Sequence, residues 1–268
     1  MGIIRTDKWL LEHYESPLHV CEKLEDYFQA TALEIYDYLY VHGMYHPVNN
    51  GMNHLKPLLK ANPWKVIQDE YHTLQELWGG PDIPIFIFPF NDSDSELTMH
   101  TGGKSGLAFR DKLFLFLSKE NSELEIRALF THEYNHVCRL EKYRKKEEDY
   151  TLLDTIILEG LAEYAVKERY GGNYQANWIS AYVEVELEKL WKTIIYPNQN
   201  VRKNDYKHQE LLFGSNKYPK MIGYCVGYYL VTRYLETNNI STSELLVHSS
   251  REIAHEKTDG SSPSVHPL

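Results

Sequence analysis

The stretch LAFRDKLFLFLSKENSELEIRALFTHEYNHVCRL (Leu107–Leu140) changes from the spacing of a strand to that of a helix. Its first part, Leu107–Ser118, is rich in aromatic and aliphatic residues, and IPIFIFPF (Ile83–Phe90) has the same character. These two runs, separated by a polar loop, predict two strands. After Ser118 the apolar residues follow the spacing of helices as far as about Glu256. The chain is therefore expected to be α+β, mostly helical, with a small sheet.

Helical spacing also fills residues 1–80, where Ser16-Pro17 and Asn62-Pro63 open helices. The end of the chain, SSPSVHPL, is polar and rich in Pro and Ser. We therefore expect an N-terminal helical region over 1–80, a second region over 81–256 that packs with it as one unit, and a frayed tail over 257–268.

The composition argues against several classes of protein. Of the 268 residues, 43% are hydrophobic and 25% charged, near the globular average, so a folded and soluble protein is expected. Asp and Glu (38) outnumber Lys and Arg (28), and no basic run alternates with aromatic residues, which argues against nucleic-acid binding. The longest uncharged apolar stretch, Met221–Thr232, has about twelve residues, whereas a bilayer span needs about 20. We therefore expect no transmembrane helix.

Two features predict a reducing, cytoplasmic setting. Asp7 and Lys8 interrupt the N-terminal segment before the apolar core of a secretory signal could form. The cysteines Cys21, Cys138 and Cys225 are odd in number, far apart and without a C-x-x-C motif. Neither a disulfide framework nor a thiolate zinc site is expected.

The helix predicted from the capping-box sequence at Ser122 contains HEYNH (His132–His136). At about 100° per residue, His132 and His136 lie about 40° apart on one face, and Glu133 lies about 100° from His132. Two neutral imidazoles on one face are typical zinc ligands, and a carboxylate beside them can take a proton from water. The motif adjoins the apolar stripe of the helix, where burying polar groups without partners is costly. This position favours a metal site over a solvent-exposed face.

A second predicted helix carries Glu159 and Glu163, which stack on one face four residues apart. Their apolar surroundings require positive charge nearby. A zinc ion bound by Glu159 meets this requirement, with Glu163 accepting a hydrogen bond from the other ring nitrogen of a ligand histidine. Gly160 favours a close approach to another helix. The alternative is that the two carboxylates form surface ion pairs with Arg169 or Lys167.

The charged run EKYRKKEEDY (Glu141–Tyr150) joins these helices, and a cap sequence at Thr151 opens the second one. We expect the run to be a solvated helix end and turn rather than a binding patch. A reversal there brings the second helix back antiparallel to the first, so that His132, His136 and Glu159 can meet. These three ligands and an open fourth position predict a catalytic site with one zinc ion per chain.

The segments HEYNHVCR, TIILEGLAEYAV and YPKMIGYCVGYYLV resemble the YjaZ-like family of predicted zinc-dependent proteases, over Ile83 to Glu252. H-E-x-x-H followed by a later glutamate is also similar to the pattern of the gluzincins. The resemblance implies a zincin-like metallopeptidase with the site roles already considered: zinc ligands His132, His136 and Glu159, general base Glu133, and supporting carboxylate Glu163. One departure is Glu163, where many gluzincins have Asp.

Zincins also share a sheet edge beside the metal, to which a peptide substrate adds as an extra strand. By this resemblance Gly106, Leu107 and Ala108 are candidates for backbone contacts with a substrate. They follow the glycine-rich entry TGGKSG (Thr101–Gly106), which allows another backbone to approach closely. The alternative is a flexible hairpin connection.

Hydrolysis of an amide also needs a hydrogen-bond donor for the oxyanion besides the metal. The helix that begins at Tyr218-Pro219 has Tyr224 and Tyr228 on one face, and its G-Y-x-x-G-Y-Y pattern is similar to the tyrosine-bearing helix of thimet-type oligopeptidases. Tyr224 is the first candidate, before Tyr228 and Tyr218, although a chain with 21 tyrosines also uses them in its core. Three histidines are alternative donors: His46, His100 and His208.

We therefore predict a zinc metallopeptidase that acts on peptide or protein substrates, with 81–256 as its catalytic region. The fold is expected to be a mostly helical, zincin-like α+β domain with a small antiparallel or mixed sheet beside the active-site helix. The alternatives are a catalytically idle, zinc-stabilised peptide-binding protein and a helical protein whose histidines bind no metal. Glu133 favours the enzyme, because a structural zinc site is closed by four protein ligands and needs no base.

Overall fold

The computed structural model describes residues 2–48, 51–143 and 145–254, without the side chains of His54 and His100. The predicted frayed tail, 257–268, lies outside the described residues. The chain divides into two compact units. The first contains the described residues of Met1–Glu141 and Ala165–Gln175, and the second contains those of Lys142–Tyr164 and Ala176–Leu268. The predicted regions 1–80 and 81–256 stay a prediction.

The first unit combines a small sheet with helices. Its strands are β1 (Gly2–Ile3), β2 (Pro84–Pro89), β3 (Lys104–Ala108) and β4 (Leu113–Leu117). Its helices are α1 (Thr6–His13), α2 (Pro17–Glu22), α3 (Glu25–Phe28), α4 (Ala32–Val41), α5 (Met52–Ala61), α6 (Pro63–Trp78), α7 (Ser95–Thr101) and α8 (Glu123–Lys142). The predicted start of a helix at Asn62-Pro63 is confirmed by α6.

The described part of the second unit is helical. Its helices are α9 (Leu152–Tyr170), α10 (Glu184–Leu190), α11 (Tyr196–Asn198), α12 (Tyr206–Phe213), α13 (Ile222–Asn238), α14 (Thr242–Leu245) and α15 (Ser250–Ala254). The last six residues of α9, from Ala165 onward, belong to the first unit. None of the helices in the described residues combines the length and the apolar character that crossing a bilayer requires.

The sheet has the strand order β1-β2-β4-β3. β2 is parallel to β1 and to β4, whereas β3 is antiparallel to β4. The sheet is therefore mixed, and the predicted α+β, mostly helical fold is confirmed. The runs of β2 and β4 are apolar on both faces, and the two strands are almost completely buried. β3 lies at the edge of the sheet and is half-buried.

The prediction of a single strand over Leu107–Ser118 is wrong. The segment supplies the end of β3, a turn, and β4, and the N–H of Phe109 donates to the carbonyl of Lys112 at 2.9 Å across the turn. The charged pair Arg110-Asp111 forms the bend, because it interrupts the apolar run and favours solvent. The polar loop before β3 also contains a helix, α7, which Asp94 caps.

The backbones of α9 and α13 touch in the second unit. A Cβ atom built on Gly160 would overlap the carbonyl of Gly227, and one built on Gly227 would overlap the carbonyl of Ile156. Only glycine leaves room for this approach, which confirms the close helix contact predicted at Gly160. Buried aliphatic side chains of the two helices, such as Leu161 and Val226, belong to one hydrophobic core.

Asp154 is a buried carboxylate at the start of α9. Its Oδ2 accepts hydrogen bonds from Lys145 Nζ at 2.6 Å and from the N–H and hydroxyl of Thr151 at 2.9 and 2.8 Å, which confirms the predicted cap. Its Oδ1 accepts from the Ser250 hydroxyl at 2.9 Å. Burial alone raises the pKa of Asp154, but the hydrogen bonds from Lys145 and Thr151 outweigh burial and hold the pKa below its ordinary value.

Protonation of Asp154 is expected to destabilise the protein in acid. Because its pKa is lower in the folded chain than in the unfolded chain, its contribution is complete above the ordinary value of 3.8 and is lost as the pH falls through the folded-state pKa. At neutral pH, Asp154→Asn should lower the free energy of unfolding by about 2 to 3 kcal/mol, since the Lys145 charge loses its buried partner.

Urea unfolding of wild type and Asp154→Asn, from neutral pH to about pH 3, measures this dependence. The difference in unfolding free energy should shrink as the pH falls through the folded-state pKa. Asp69→Asn, which removes an exposed carboxylate paired with Lys65, is the control and should change little. A difference between wild type and Asp154→Asn that does not depend on pH would contradict the prediction.

Candidate metal centre

Helix α8 begins at the predicted capping box. The N–H of Glu125 donates to Ser122 Oγ at 3.3 Å, and the Glu125 carboxylate accepts from the N–H of Ser122 at 2.8 Å. Ten residues into the helix, His132 and His136 project from the same face, with ring centroids 4.6 Å apart. His132 is half-buried and His136 is buried. The sequence spacing therefore places both imidazoles together, as predicted.

His132, His136 and Glu159 form a group that could hold a metal ion. Each residue offers one ligand atom, and these atoms lie within 4.8 Å of one another. Two imidazole nitrogens and one carboxylate oxygen are a donor set that suits zinc and leaves a fourth position for water or substrate. The chemistry and the spacing of the group thus fit the predicted zinc ion.

Glu133 is buried under the edge strand β3. A Cβ atom built on Gly106 would overlap Cγ and Cδ of Glu133 and lie 2.6 Å from its Oε1. The start of α8 is also tied to β3, because Lys104 Nζ lies 3.4 Å from Glu125 Oε1. The glycine that was expected to admit a substrate backbone therefore also makes room for the glutamate of the H-E-x-x-H motif.

The backbone groups of β3 alternate between β4 and the open edge of the sheet. The N–H of Ser118 donates to the carbonyl of Gly103 at 2.9 Å, which makes these two residues a hydrogen-bonded pair. Because such pairs alternate along antiparallel strands, the peptide groups of Leu107 face β4, and those of Gly106 and Ala108 face the edge. Gly106 and Ala108 can therefore offer backbone hydrogen bonds to an added strand.

Glu163 is buried one helical turn after Glu159. Its Oε2 accepts a hydrogen bond from the N–H of Ala176 at 3.1 Å. The role of Glu163 beside a ligand histidine stays a prediction. Arg169, which we considered as an alternative partner for these carboxylates, donates to Glu70 at 2.5 Å.

The tyrosines considered as oxyanion donors, Tyr224 and Tyr228, lie half-buried on α13. The Tyr224 ring is 5.2 Å from Trp178 and 5.4 Å from Phe213, measured between ring centroids. The Tyr228 ring is 6.3 Å from Tyr164 on α9. Tyr224 thus belongs to an aromatic cluster, whereas Tyr228 lies against the helix that carries the metal-group glutamate. The catalytic role of either tyrosine stays a prediction.

The other candidate donors have structural surroundings of their own. His46 Nδ1 lies 2.9 Å from the Tyr36 hydroxyl. His208 is buried against a threonine hydroxyl, and burial lowers its pKa. Tyr218 packs partly buried on the core of the second unit. The side chain of His100 lies outside the described residues.

Sequence reasoning missed one charged cluster near α8. Glu70 binds Arg127 and Arg169, which lie 57 and 99 positions away in the chain. No local periodicity connects residues so far apart. One feature of the sequence could have indicated the cluster. Glu70 lies on the apolar face of its helix, between the buried Ile67 and Leu74, and a carboxylate buried there needs a positively charged partner.

An H-E-x-x-H sequence on a helix, together with a His/His/Glu group that could hold a metal, is a pattern that zinc-dependent metallopeptidases also have. A family model described as "Predicted Zn-dependent protease (DUF2268)" matches residues 63–255. The chain belongs to this family, and the predicted family resemblance is confirmed. The match begins 20 residues before the segment on which the resemblance rested.

One curated relative covers nearly the whole chain. It is "Uncharacterized protein YjaZ" of Bacillus subtilis (strain 168), which is 38% identical over 252 residues. The alignment spans 91% of this chain and 95% of the relative. No solved structure matches the chain. The likeness to known proteins therefore supports the family and its predicted zinc dependence.

Proposed function

We propose that the protein is a zinc-dependent metallopeptidase that hydrolyses peptide bonds with one zinc ion per chain. The observation that carries the proposal is the group of His132, His136 and Glu159, whose ligand atoms lie within 4.8 Å of one another. A zinc ion held there would lower the pKa of a water toward about 7 and polarise a peptide carbonyl. The description of the family as a predicted Zn-dependent protease supports the same reaction class.

Glu133 is the general base of the proposed reaction. It directly follows His132 in α8 but points about 100° around the helix, so it can stay off the metal. Its carboxylate takes a proton from the attacking water and then gives a proton to the leaving amine. The packing of Gly106 on Glu133 supports this role, because it restricts the carboxylate to few rotamers and shields one side from bulk water.

An extended peptide is the proposed substrate. It would add to the open edge of β3, where the N–H and carbonyl groups of Gly106 and Ala108 offer hydrogen bonds. The peptide groups of Leu107 face β4, so the backbone contact predicted there is not part of this proposal. Of the two tyrosines, we propose Tyr228 before Tyr224 as the oxyanion donor, because its ring packs beside α9.

We also propose a cytoplasmic location. No disulfide joins Cys21, Cys138 and Cys225, and all three side chains are buried. Free thiols without disulfides are typical of proteins in a reducing compartment. Fractionation of cells that make the protein would test the location, and recovery from the culture medium or the cell surface would contradict it.

Metal content and peptide cleavage test the function together. Wild-type protein purified without added metal or chelator should contain about one zinc per chain by elemental analysis. It should also cleave members of a peptide library, as read by mass spectrometry. A chelator should abolish cleavage, and added zinc should restore it. A protein that contains no zinc and takes up none would overturn the proposal.

A side chain at position 106 should reduce activity without removing zinc. In Gly106→Ala, the new Cβ would overlap the Glu133 side chain, so the carboxylate or β3 must move. We expect kcat for a cleaved peptide to fall about 100-fold, the usual effect of misplacing a catalytic group by about 1 Å. Zinc content should equal that of wild type, because no metal ligand is disturbed.

Gly172→Ala is the matched control for this substitution. Its new Cβ would come no closer than 3.6 Å to a neighbour, the side chain of Gln175. The control variant should keep wild-type kcat and stability. If Gly106→Ala also keeps wild-type kcat, then the close packing on Glu133 is not needed for hydrolysis.

A further inference from the structure

Glu70 is a buried carboxylate that lies on α6, outside the proposed metal centre, and only 3% of it is exposed. Its two oxygens bind different helices. Oε2 accepts from Arg127 Nη1 on α8 at 2.9 Å, and Oε1 accepts from Arg169 Nη2 in the last turn of α9 at 2.5 Å. One carboxylate therefore holds the H-E-x-x-H helix and the end of the helix that carries Glu159.

Such a cluster specifies a geometry more than it adds stability. Apolar side chains of similar volume often stabilise a fold as well as a buried ion pair does. If the helices shifted, Arg169 would lose the carboxylate that it binds while most of its side chain stays buried, which disfavours the shift. Arg127 also binds Glu123 on its own helix at 2.8 Å, which further restricts the arginine side chain.

Each arginine lies at a similar distance along its helix from a residue of the metal group. Arg127 precedes His136 by nine residues in α8, and Arg169 follows Glu159 by ten residues in α9. At about 1.5 Å per residue, these separations are about 14 Å and about 15 Å along the two helices. The Glu70 contacts thus join α8 to the last turn of α9 within the first unit. Glu159 lies on the same helix as Arg169, and His136 lies on the same helix as Arg127.

We propose that Glu70 is a positioning residue of the zinc site. It fixes the register of α8 against the end of α9 and so holds the three metal donors at the spacing that zinc requires. The inference rests on the proposed function, because it concerns the affinity of the same group for zinc. Glu70 is not a member of the metal group, and the proposed effect passes through its bonds to Arg127 and Arg169.

The test compares zinc affinity with fold stability. Glu70→Gln keeps the size of the side chain but removes its charge, and Leu74→Ala removes a buried side chain one turn later on the same helix. Zinc affinity is measured by competition with a chromophoric chelator, at a temperature at which circular dichroism shows each variant folded. Thermal unfolding of the metal-free proteins measures the loss of stability.

We expect Glu70→Gln to bind zinc at least about tenfold more weakly than wild type, the size of effect seen when the supports of metal ligands are lost. Leu74→Ala should lower the melting temperature and leave zinc affinity within about twofold of wild type. Equal zinc affinity in wild type and Glu70→Gln would overturn the inference. So would an equal weakening in both variants, because Glu70 would then act through stability alone.

Arg169→Lys keeps the positive charge but cannot reproduce the reach of the guanidinium, and it decides the matter if Glu70→Gln does not fold. It should bind zinc about threefold or more weakly than wild type, and unchanged affinity would overturn the inference. Failure of wild type itself to bind zinc would instead overturn the proposed function, and the inference with it. The wild-type measurement thus separates the two failures.

Discussion

Replacing Glu133 with glutamine is expected to abolish peptide hydrolysis while leaving zinc in place. Glutamine has nearly the same size and fits the space under Gly106, but it cannot accept the proton of the attacking water. General acid–base catalysis contributes about 10² to 10⁴ in rate, so kcat should fall by about 10³ or more. Zinc content should match that of wild type, because the two histidines and Glu159 are unchanged.

The control for this variant is Glu141→Gln, two helical turns later on α8. Glu141 is partly exposed and binds Arg110 at 2.9 Å, so the substitution removes a carboxylate from the same helix without touching the site. It should keep wild-type kcat. Turnover per mole of zinc is the decisive measurement for both variants, and wild-type turnover in Glu133→Gln would refute the assignment of the general base.

Replacing His136 with alanine is expected to remove zinc and activity together. His136 is buried, and its ligand atom lies within 4.8 Å of those of His132 and Glu159. With one of three protein ligands absent, zinc content should fall from about one per chain to near zero. Hydrolysis should be lost to the same extent, because in the proposed reaction the metal would activate the water and polarise the peptide carbonyl.

The effect should also be visible in stability, without any substrate. Zinc that binds only the folded chain adds about 2.7 kcal/mol to the free energy of unfolding at a free concentration of 100 times its Kd. Added zinc should therefore raise the melting temperature of wild type and leave that of His136→Ala unchanged. His208→Ala is the control, since it removes a buried imidazole in the second unit and should still respond to zinc. A zinc-dependent shift in His136→Ala would contradict the ligand assignment.

The parts of the site that sequence could predict are those fixed by local spacing. The phase of α8 follows from the capping box at Ser122 and the helical period, so the shared face of His132 and His136 could be read directly. The cap at Thr151 and the close helix approach at Gly160 were predictable for the same reason. The cap depends on residues within a few positions of one another, and the helix approach depends on a residue that has no side chain.

The sheet was harder to predict, because strand pairing is not local. The turn at Arg110-Asp111 was missed since the apolar runs on either side of it have the same character. The order of the strands places β3 at the edge, which no alternation of residues specifies. The edge position leaves the backbone groups of Gly106 and Ala108 unpaired with β4, and the proposed binding of a peptide substrate depends on it.

The sequence by itself thus predicted the members of the candidate metal group and their surroundings: two imidazoles on one face of a helix, a carboxylate beside them, and a later glutamate on a second helix. The tertiary structure decided which distant groups hold those residues in place. It packed Gly106 on Glu133 and bound Glu70 to Arg127 and Arg169. The physical reason is that hydrogen bonds between residues four positions apart fix which side chains share a helix face, so local sequence is enough to predict it. The contacts of Gly106 and Glu70 form only when apolar surfaces from distant parts of the chain are buried together.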